Sequence, residues 1–382
     1  MNPSIADLPL HNGHVPPWML KIMKEMATQI TKFIIEERGP DSLVNALSDP
    51  LWFQAFNNII GMDWDSSGST TVVLSLLKDI SWNNDLGFIV FGGKGSNMIN
   101  IKNEWAIMER RLNNIHKEDI IKFSKLSARA DSAFLQDGYD IYIHSVIVSL
   151  ESKNMITVQQ GMNLNSLMAR RYHINKFNIE NPHSGIIGSK EKVVIDATSI
   201  NSRRARKVFI DIISEGERKF QSNLIQAYNV ITGKKTLDYF IDGNNKNNSI
   251  INYYYPIKPS SRLIDTVKEL SKYKPSNDLE LALAPRVGPS LIRALALISD
   301  VIYSTPISNQ DPVNLSLDPF GYSYTIGGKD GIPFPFDAKT ALEAIEFLRN
   351  ALEEAKIGDK IKKRSLMNLN SFIKKIKISN MK

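Results

Sequence analysis

Residues 139–162 read YDIYIHSVIVSLESKNMITVQQGM, two runs rich in Ile, Val and Tyr joined by a polar stretch. Apolar and polar side chains alternate on either side of a turn near Ser152 to Asn154, which is the period of two expected of a β-hairpin. This hairpin decides the fold class, because most of the chain around it repeats at three and four instead. The clearest helical period is MLKIMKEMATQITKFIIEERG (19–39), closed by Gly39 and Pro40. GPDSLVNALSDPLWFQAFNNIIG (39–61) predicts two short helices, with Asp41 and Asp49 as caps and Trp52 and Phe53 in a core. MDWDSSGSTTVVLSLLKDI (62–80) predicts a turn and then a helix from about Thr70. LGFIVFGGKGSN (86–97) predicts a short strand entering a glycine-rich loop, and EWAIMERRLNNI (104–115) and EDIIKFSKLSARADSAFLQ (118–136) predict helices. From Ser202 onward the period is again helical, with NKNNS (245–249) and KPSS (258–261) as loops. The expected fold is therefore α+β, mostly helical around a central β-hairpin or small mixed sheet. Three parts are expected: an α+β region over 1–200, a helical connection over 201–275, and a helical region over 276–382 that ends in a basic tail.

The 382 residues are 42% hydrophobic and 23% charged, the balance of a globular chain long enough for two or three cores. No run of about 18 uncharged apolar residues occurs and no basic-then-apolar leader opens the chain, so a cytoplasmic protein without a membrane span is expected. The absence of cysteine excludes disulfides, thiolate catalysis, iron–sulfur clusters and cysteine-ligated zinc. Six histidines and the carboxylates are left as strong metal ligands. A net charge of +7 and a pI of 9.2 point to a polyanionic partner. Much of the excess sits in AKIGDKIKKRSLMNLNSFIKKIKISNMK (355–382), where Lys360, Lys362, Lys363, Arg364, Lys374, Lys375 and Lys377 flank apolar residues at helical spacing. That segment reads either as a solvated helix face or as a phosphate-contacting one.

LALAPRVGPSLIRALALISDVIY (281–303) sets two apolar helices around a Pro-Arg-Val-Gly-Pro corner. Pro285 stops the first helix and Pro289 opens the second, leaving unpaired N–H groups at a positive helix end. The spacing resembles a helix-hairpin-helix, which offers such groups to DNA phosphates without reading sequence. Val287 would plug the core, Gly288 would allow close approach, and Arg286, Ser290 and Arg293 would add contacts. Arg286 stands where that hairpin usually has its first glycine. The plainer alternative is an αα-corner without a ligand.

A second concentration of polar groups runs through DSAFLQDGYDIYIHSVIV (131–148), ITVQQGMNLNSLMARRYHI (156–174) and NPHSG (181–185). On a strand, Asp140, Tyr142 and His144 share a face, while Gln159 and Gln160 point to opposite sides. Arg170, Arg171, Tyr172 and His173 read as a helix or tight turn. Phosphodiester hydrolysis needs a base or metal at the attacking water and cations at the developing charge. Asp137, His144, Gln160, Arg171 and His173 are the candidate catalytic set, with Asp137, His144 and His183 as ligands for Mn²⁺ or Mg²⁺. Lys94, in its glycine-rich loop, and Lys329 add candidate phosphate contacts. The alternative is a hydrogen-bonded network under the hairpin. His11 with His14, and Asp63 with Asp65, form competing clusters, the latter more simply explained as helix capping. FGGKGSN (91–97) lacks the spacing of a P-loop, so ATP use is not expected.

Taken together, ADLPLHNGHVPPW (6–18), SDPLWFQAF (48–56), DWDSSGSTT (63–71), GGKG (92–95), LQDGYDIYIH (135–144), VQQGM (158–162), ARRYH (169–173), NPHSG (181–185), VGPSLIRALAL (287–297) and GGKDGIPFPFD (327–337) resemble the prokaryotic family catalogued as domain of unknown function 763. Asp65 stands where the family pattern has His. The resemblance implies a fold of its own, a helix-hairpin-helix segment, and a role in DNA metabolism as a nuclease. The expected function is thus a metal-dependent nuclease that grips the DNA backbone, against a non-catalytic DNA-binding or scaffolding protein of repair or recombination. Single-stranded, duplex or branched DNA, RNA, and a homo-oligomer all remain open.

Overall fold

The computed structural model describes residues 8–10, 14–62, 67–112, 115–232, 257–314, 327–328 and 335–354. Lys329, His11, Asp63, Asp65 and the basic segment 355–382 lie outside the described residues. Four helices come first: α1 (Pro17–Arg38), α2 (Pro40–Leu47), α3 (Pro50–Ile59) and α4 (Ser67–Asn83). Pro17, Pro40 and Pro50 each open a helix, where the missing N–H costs nothing. Asp49 caps α3 by accepting from the Leu51 and Trp52 N–H groups. Asp41 does not cap α2. Its carboxylate instead receives the Ser149 and Ser152 hydroxyls and ties the helix to the hairpin turn.

The strands are β1 (Leu8–Pro9), β2 (Phe88–Lys94), β3 (Leu135–Gln136), β4 (Asp140–Ser149), β5 (Met155–Asn163), β6 (Met168–Ile174), β7 (His183–Ile187) and β8 (Ile195–Asp196). All pair antiparallel, in the order β1-β6-β5-β4-β2 with β7 also on β6, while β3 and β8 form a separate pair. The expected hairpin is β4–β5. Residues 168–174 form a strand rather than a helix or turn. Both of its faces are buried from Ala169 to Ile174, and because Arg170, Arg171 and His173 fill half of those positions the run carries no apolar period.

A register shift adds one residue to β4: Ile141 faces Gly161 and Ile143 faces Gln160, leaving Tyr142 as a bulge. The bulge turns the Tyr142 hydroxyl to Gln160, on the face opposite His144, so the two do not share a face as alternation alone predicts. Gly92 of β2 has φ +82, and a Cβ there would sit inside contact distance of the His144 carbonyl oxygen. Gly92→Ala is therefore expected to cost more than about 1 kcal/mol, read as a lowered urea midpoint.

The two sheet faces bury different partners. Phe88, Val90, Ile143, Ile147 and Val158 pack on α1–α4, whereas Phe91, Val146, Val148 and Ile174 pack on later helices. These are α5 (Ile101–Met108), α6 (Lys117–Arg129), α7 (Arg203–Ser214), α8 (Glu217–Ile231), α9 (Ser261–Tyr273), α10 (Asp278–Leu283) and α11 (Pro289–Val301). Described residues from Ile89 to Ile307 share this second cluster. The last helix among the described residues, α12 (Ala338–Glu354), returns to α1 with Ala341 and Ile345 in the first cluster. Among the described residues, no helix is long and apolar enough to cross a membrane.

Candidate functional site

The polar residues of β4–β7 occupy both faces of the sheet. On the face toward α6, His144 uses both ring nitrogens, Nε2 at 2.8 Å from Ser124 Oγ and Nδ1 at 2.7 Å from Gln159 Oε1. Gln159 Nε2 donates to the Ser127 carbonyl (3.0 Å) and to Asp131 Oδ2 (2.5 Å). His183 Nε2 meets the other Asp131 oxygen at 2.5 Å. Asp131 reaches this position because α6 widens into one π-helical turn over Ala130–Phe134, a deformation common at functional sites. Burial pushes the His144 imidazole down to about 4. Burial also opposes a charge on His183, yet the Asp131 carboxylate outweighs it and raises the pKa of that ring.

On the same face, the buried Arg170 guanidinium binds Asp137 at 2.8 Å and Asp311 at 2.7 Å. Asp137 also accepts from the Tyr172 hydroxyl (2.7 Å) and the Tyr139 N–H (3.1 Å). Desolvation works against the Arg170 charge, but Asp137, Tyr172 and Asp311 raise its pKa beyond the ordinary arginine value.

The opposite face holds Gln160, Arg171 and His173. Gln160 accepts from Thr70 and donates to the Ser67 carbonyl at 2.8 Å. Arg171 donates to Gln54 Oε1 (2.8 Å) and Thr70 Oγ1 (3.2 Å) and lies 4.7 Å from the Phe53 ring centre. His173 Nδ1 donates to the Leu47 carbonyl at 3.0 Å. Burial pushes Arg171 down to about 9 and His173 well below the ordinary imidazole value.

The sheet thus divides the expected catalytic set: Asp137 and His144 stand on one face, Gln160, Arg171 and His173 on the other. Nor are Asp137, His144 and His183 gathered as a ligand set for Mn²⁺ or Mg²⁺. Both nitrogens of His144 are engaged, His183 faces Asp131, and Asp137 is taken by Arg170 and two tyrosines. Among the described residues, no group of three or more His, Asp or Glu side chains is placed to hold a metal. Lys94 ends β2, exposed, with its ammonium 5.8 Å from the Tyr142 ring centre.

The corner takes the shape its prolines predict. Asn277 caps α10 through the Glu280 N–H, Ala284 is extended, and Pro289 opens α11 behind Gly288. Arg286 adopts a left-handed φ of 57°, a conformation that favours glycine. Val287 is buried. Lys125 and Arg129 of α6 donate to the Leu283 and Ala284 carbonyls, both at 2.6 Å, and Arg293 grips Gln136, which donates to the Pro289 carbonyl. Arg293 is therefore a strut for the corner rather than a free phosphate contact. A depression of about 280 Å³ separates the corner from the start of α9, lined by Ser260, Arg262, Thr266, Arg286, Gly288 and Ser290. No side chain caps the first turn of α11. Arg286 leans on Glu269 at 2.8 Å, an exposed pair of small energetic weight.

Spacing gave no signal for Ser124, Asp131 or Asp311. Ser124 and Asp131 sit within a helical period, and Asp311 stands 141 residues from the arginine it neutralises. Comparison finds no match among curated proteins and none among solved structures. Residues 4–336 do match one family, and the chain belongs to it: the family described as protein of unknown function DUF763.

Proposed function

We propose that this protein binds the phosphate backbone of DNA through the 285–290 corner and the facing start of α9, in the manner of a helix-hairpin-helix. The observation that carries the reading is the convergence of two helix starts and two arginines, Arg262 and Arg286, on one depression. Uncapped N–H groups at the start of α11 suit an oxyanion, and the net charge of +7 favours a polyanion over a single small anion.

Fluorescence anisotropy with labelled duplex and single-stranded DNA over a salt series tests it. Affinity should fall steeply with salt, with each of Arg262→Ala and Arg286→Ala lowering the log–log slope by about one. Gly288→Val discriminates further. Gly288 has an extended backbone, and a Cβ there meets nothing within 4 Å, so the variant should fold while its bulk holds phosphates off. Affinity should drop about tenfold, or 1.4 kcal/mol; a folded Gly288→Val that binds DNA as tightly as the parent would sink the corner as the interface. Adding Mn²⁺, Mg²⁺ or chelator to the same DNA reads hydrolysis. Metal-dependent cleavage would add nuclease activity, and intact, retarded DNA would leave a binding or scaffolding protein.

A further inference from the structure

We propose that Ser124, His144 and Gln159 form a metal-independent esterase site, opening into the cleft between α5, α6 and β4 and taking uncharged esters with a short apolar acyl chain. The hydrogen bonds fix the direction of proton movement. Both donor positions of Gln159 Nε2 are used by the Ser127 carbonyl and the Asp131 carboxylate, so the amide oxygen is what faces His144. A carbonyl oxygen can only accept, so the imidazole carries its proton on Nδ1 and keeps a lone pair on Nε2. At 2.8 Å the Ser124 hydroxyl must then donate to Nε2, which is the arrangement of a nucleophile and its general base. Asp131 and His183 anchor the amide from behind and complete a relay of four side chains leading from Ser124 into the protein.

This relay is not sealed. Ser124 is partly exposed, and both Ser124 and His144 line a cleft of about 390 Å³. Its walls are mostly apolar, with Met98, Ile99, Ile101, Ile121 and Ile141, which suits a small hydrocarbon chain better than a polyanion. Ser132 and Lys102 also line it and supply donors for negative charge developing on a carbonyl oxygen, while the Lys125 ammonium on the same wall is held by the Leu283 carbonyl. In the reaction, Ser124 Oγ bonds to the ester carbon as its proton passes to His144 Nε2, and the C–O bond to the alcohol breaks as the alcohol takes that proton. Water then gives a proton to the same nitrogen and attacks the acyl carbon, the acid departs, and Ser124 recovers its proton. Ester and water become acid and alcohol, with no metal or redox partner.

The test uses the full chain with chelator present, an alkyl fluorophosphonate probe and p-nitrophenyl butyrate. The expected result is one covalent adduct, mapped by peptide mass spectrometry to Ser124, together with saturable release of p-nitrophenol. Ser124→Ala removes a partly exposed hydroxyl hydrogen-bonded to His144, so it should melt like the parent, lose the adduct, and hydrolyse at least about 100-fold more slowly. His144→Gln should lose both signals. Gln159 is a positioning residue: Gln159→Leu removes the acceptor on Nδ1–H without setting a second carboxylate against Asp131, and should slow labelling with its pH dependence displaced downward, because that hydrogen bond favours the charged ring. No adduct at Ser124 in the folded parent, or an undiminished rate in Ser124→Ala, overturns the proposal. An unchanged rate and pH profile in folded Gln159→Leu overturns the role given to Gln159.

Discussion

Replacing Arg170 with methionine will destabilise the fold by about 3–5 kcal/mol, the cost of leaving a buried charge without its partner. The guanidinium is inaccessible and sits between two inaccessible carboxylates, Asp137 at 2.8 Å and Asp311 at 2.7 Å. Methionine fills much of the volume, so cavity formation contributes little and the electrostatic consequence stands out. Asp137 would keep the Tyr172 hydroxyl and Tyr139 N–H, and Asp311 the Glu191 and Val313 N–H groups, but neither would keep a cation. Urea unfolding measures the loss. The triple variant Arg170→Met, Asp137→Asn, Asp311→Asn removes all three charges together and should recover most of the stability. A single variant that loses less than about 1 kcal/mol would show that the triad does not organise this region. Because Asp311 reaches β6 from beyond the last helix of the second cluster, the 189–191 and 308–314 segments should also gain hydrogen exchange in Arg170→Met.

Why β4–β5 was legible while β6 was not follows from what each strand buries. Ile143, Val146, Ile147, Val148, Ile156 and Val158 announce a buried strand through their own chemistry, and the polar turn between them marks the hairpin. In β6 both faces are buried, but Arg170, Arg171 and His173 fill them through hydrogen bonds, and an isolated Arg-Arg-Tyr-His run carries no hint that its charges lie inside. The corner at 285–289 was legible because proline acts locally: Pro285 and Pro289 dictate where one helix ends and another starts regardless of what packs nearby. Site assembly was not, because pairing across strands depends on register. One bulged residue, Tyr142, was enough to set His144 and Tyr142 on different faces, and sequence spacing alone cannot reveal such an insertion. Ser124 and Asp131 were invisible for a related reason, since their spacing of seven sets them on one helix face but does not say which strands that face meets.

Acid should weaken the parent more than His144→Gln between pH 6.5 and 4, by up to about 3 kcal/mol. The ring has an ordinary value of 6.5 when the chain is unfolded, and burial holds it down to about 4 in the fold. Within that window the unfolded chain takes up a proton that the folded chain refuses, so stability falls as pH falls; above 6.5 the contribution is fully present. His173, buried against the Leu47 carbonyl and near the Arg171 charge, pulls in the same direction. His183 opposes both, because its raised value makes the folded chain the better proton acceptor, a stabilisation complete below 6.5 and lost as pH rises through the folded value. The net slope of the parent therefore mixes these rings with buried carboxylates such as Asp137, whose value burial pushes up to about 6, and only the difference between parent and His144→Gln isolates one ring. Around His144, the direct partners Ser124 and Gln159 are neutral, and burial outweighs the Gln159 hydrogen bond that favours the charged ring. Urea unfolding at a series of pH values gives the two curves. If they run parallel, the imidazole takes its second proton inside the fold as readily as outside it. Ser124 and Gln159 would then have yielded to a charged ring, and the lone pair on Nε2 that makes His144 a base for Ser124 would be lost across that range.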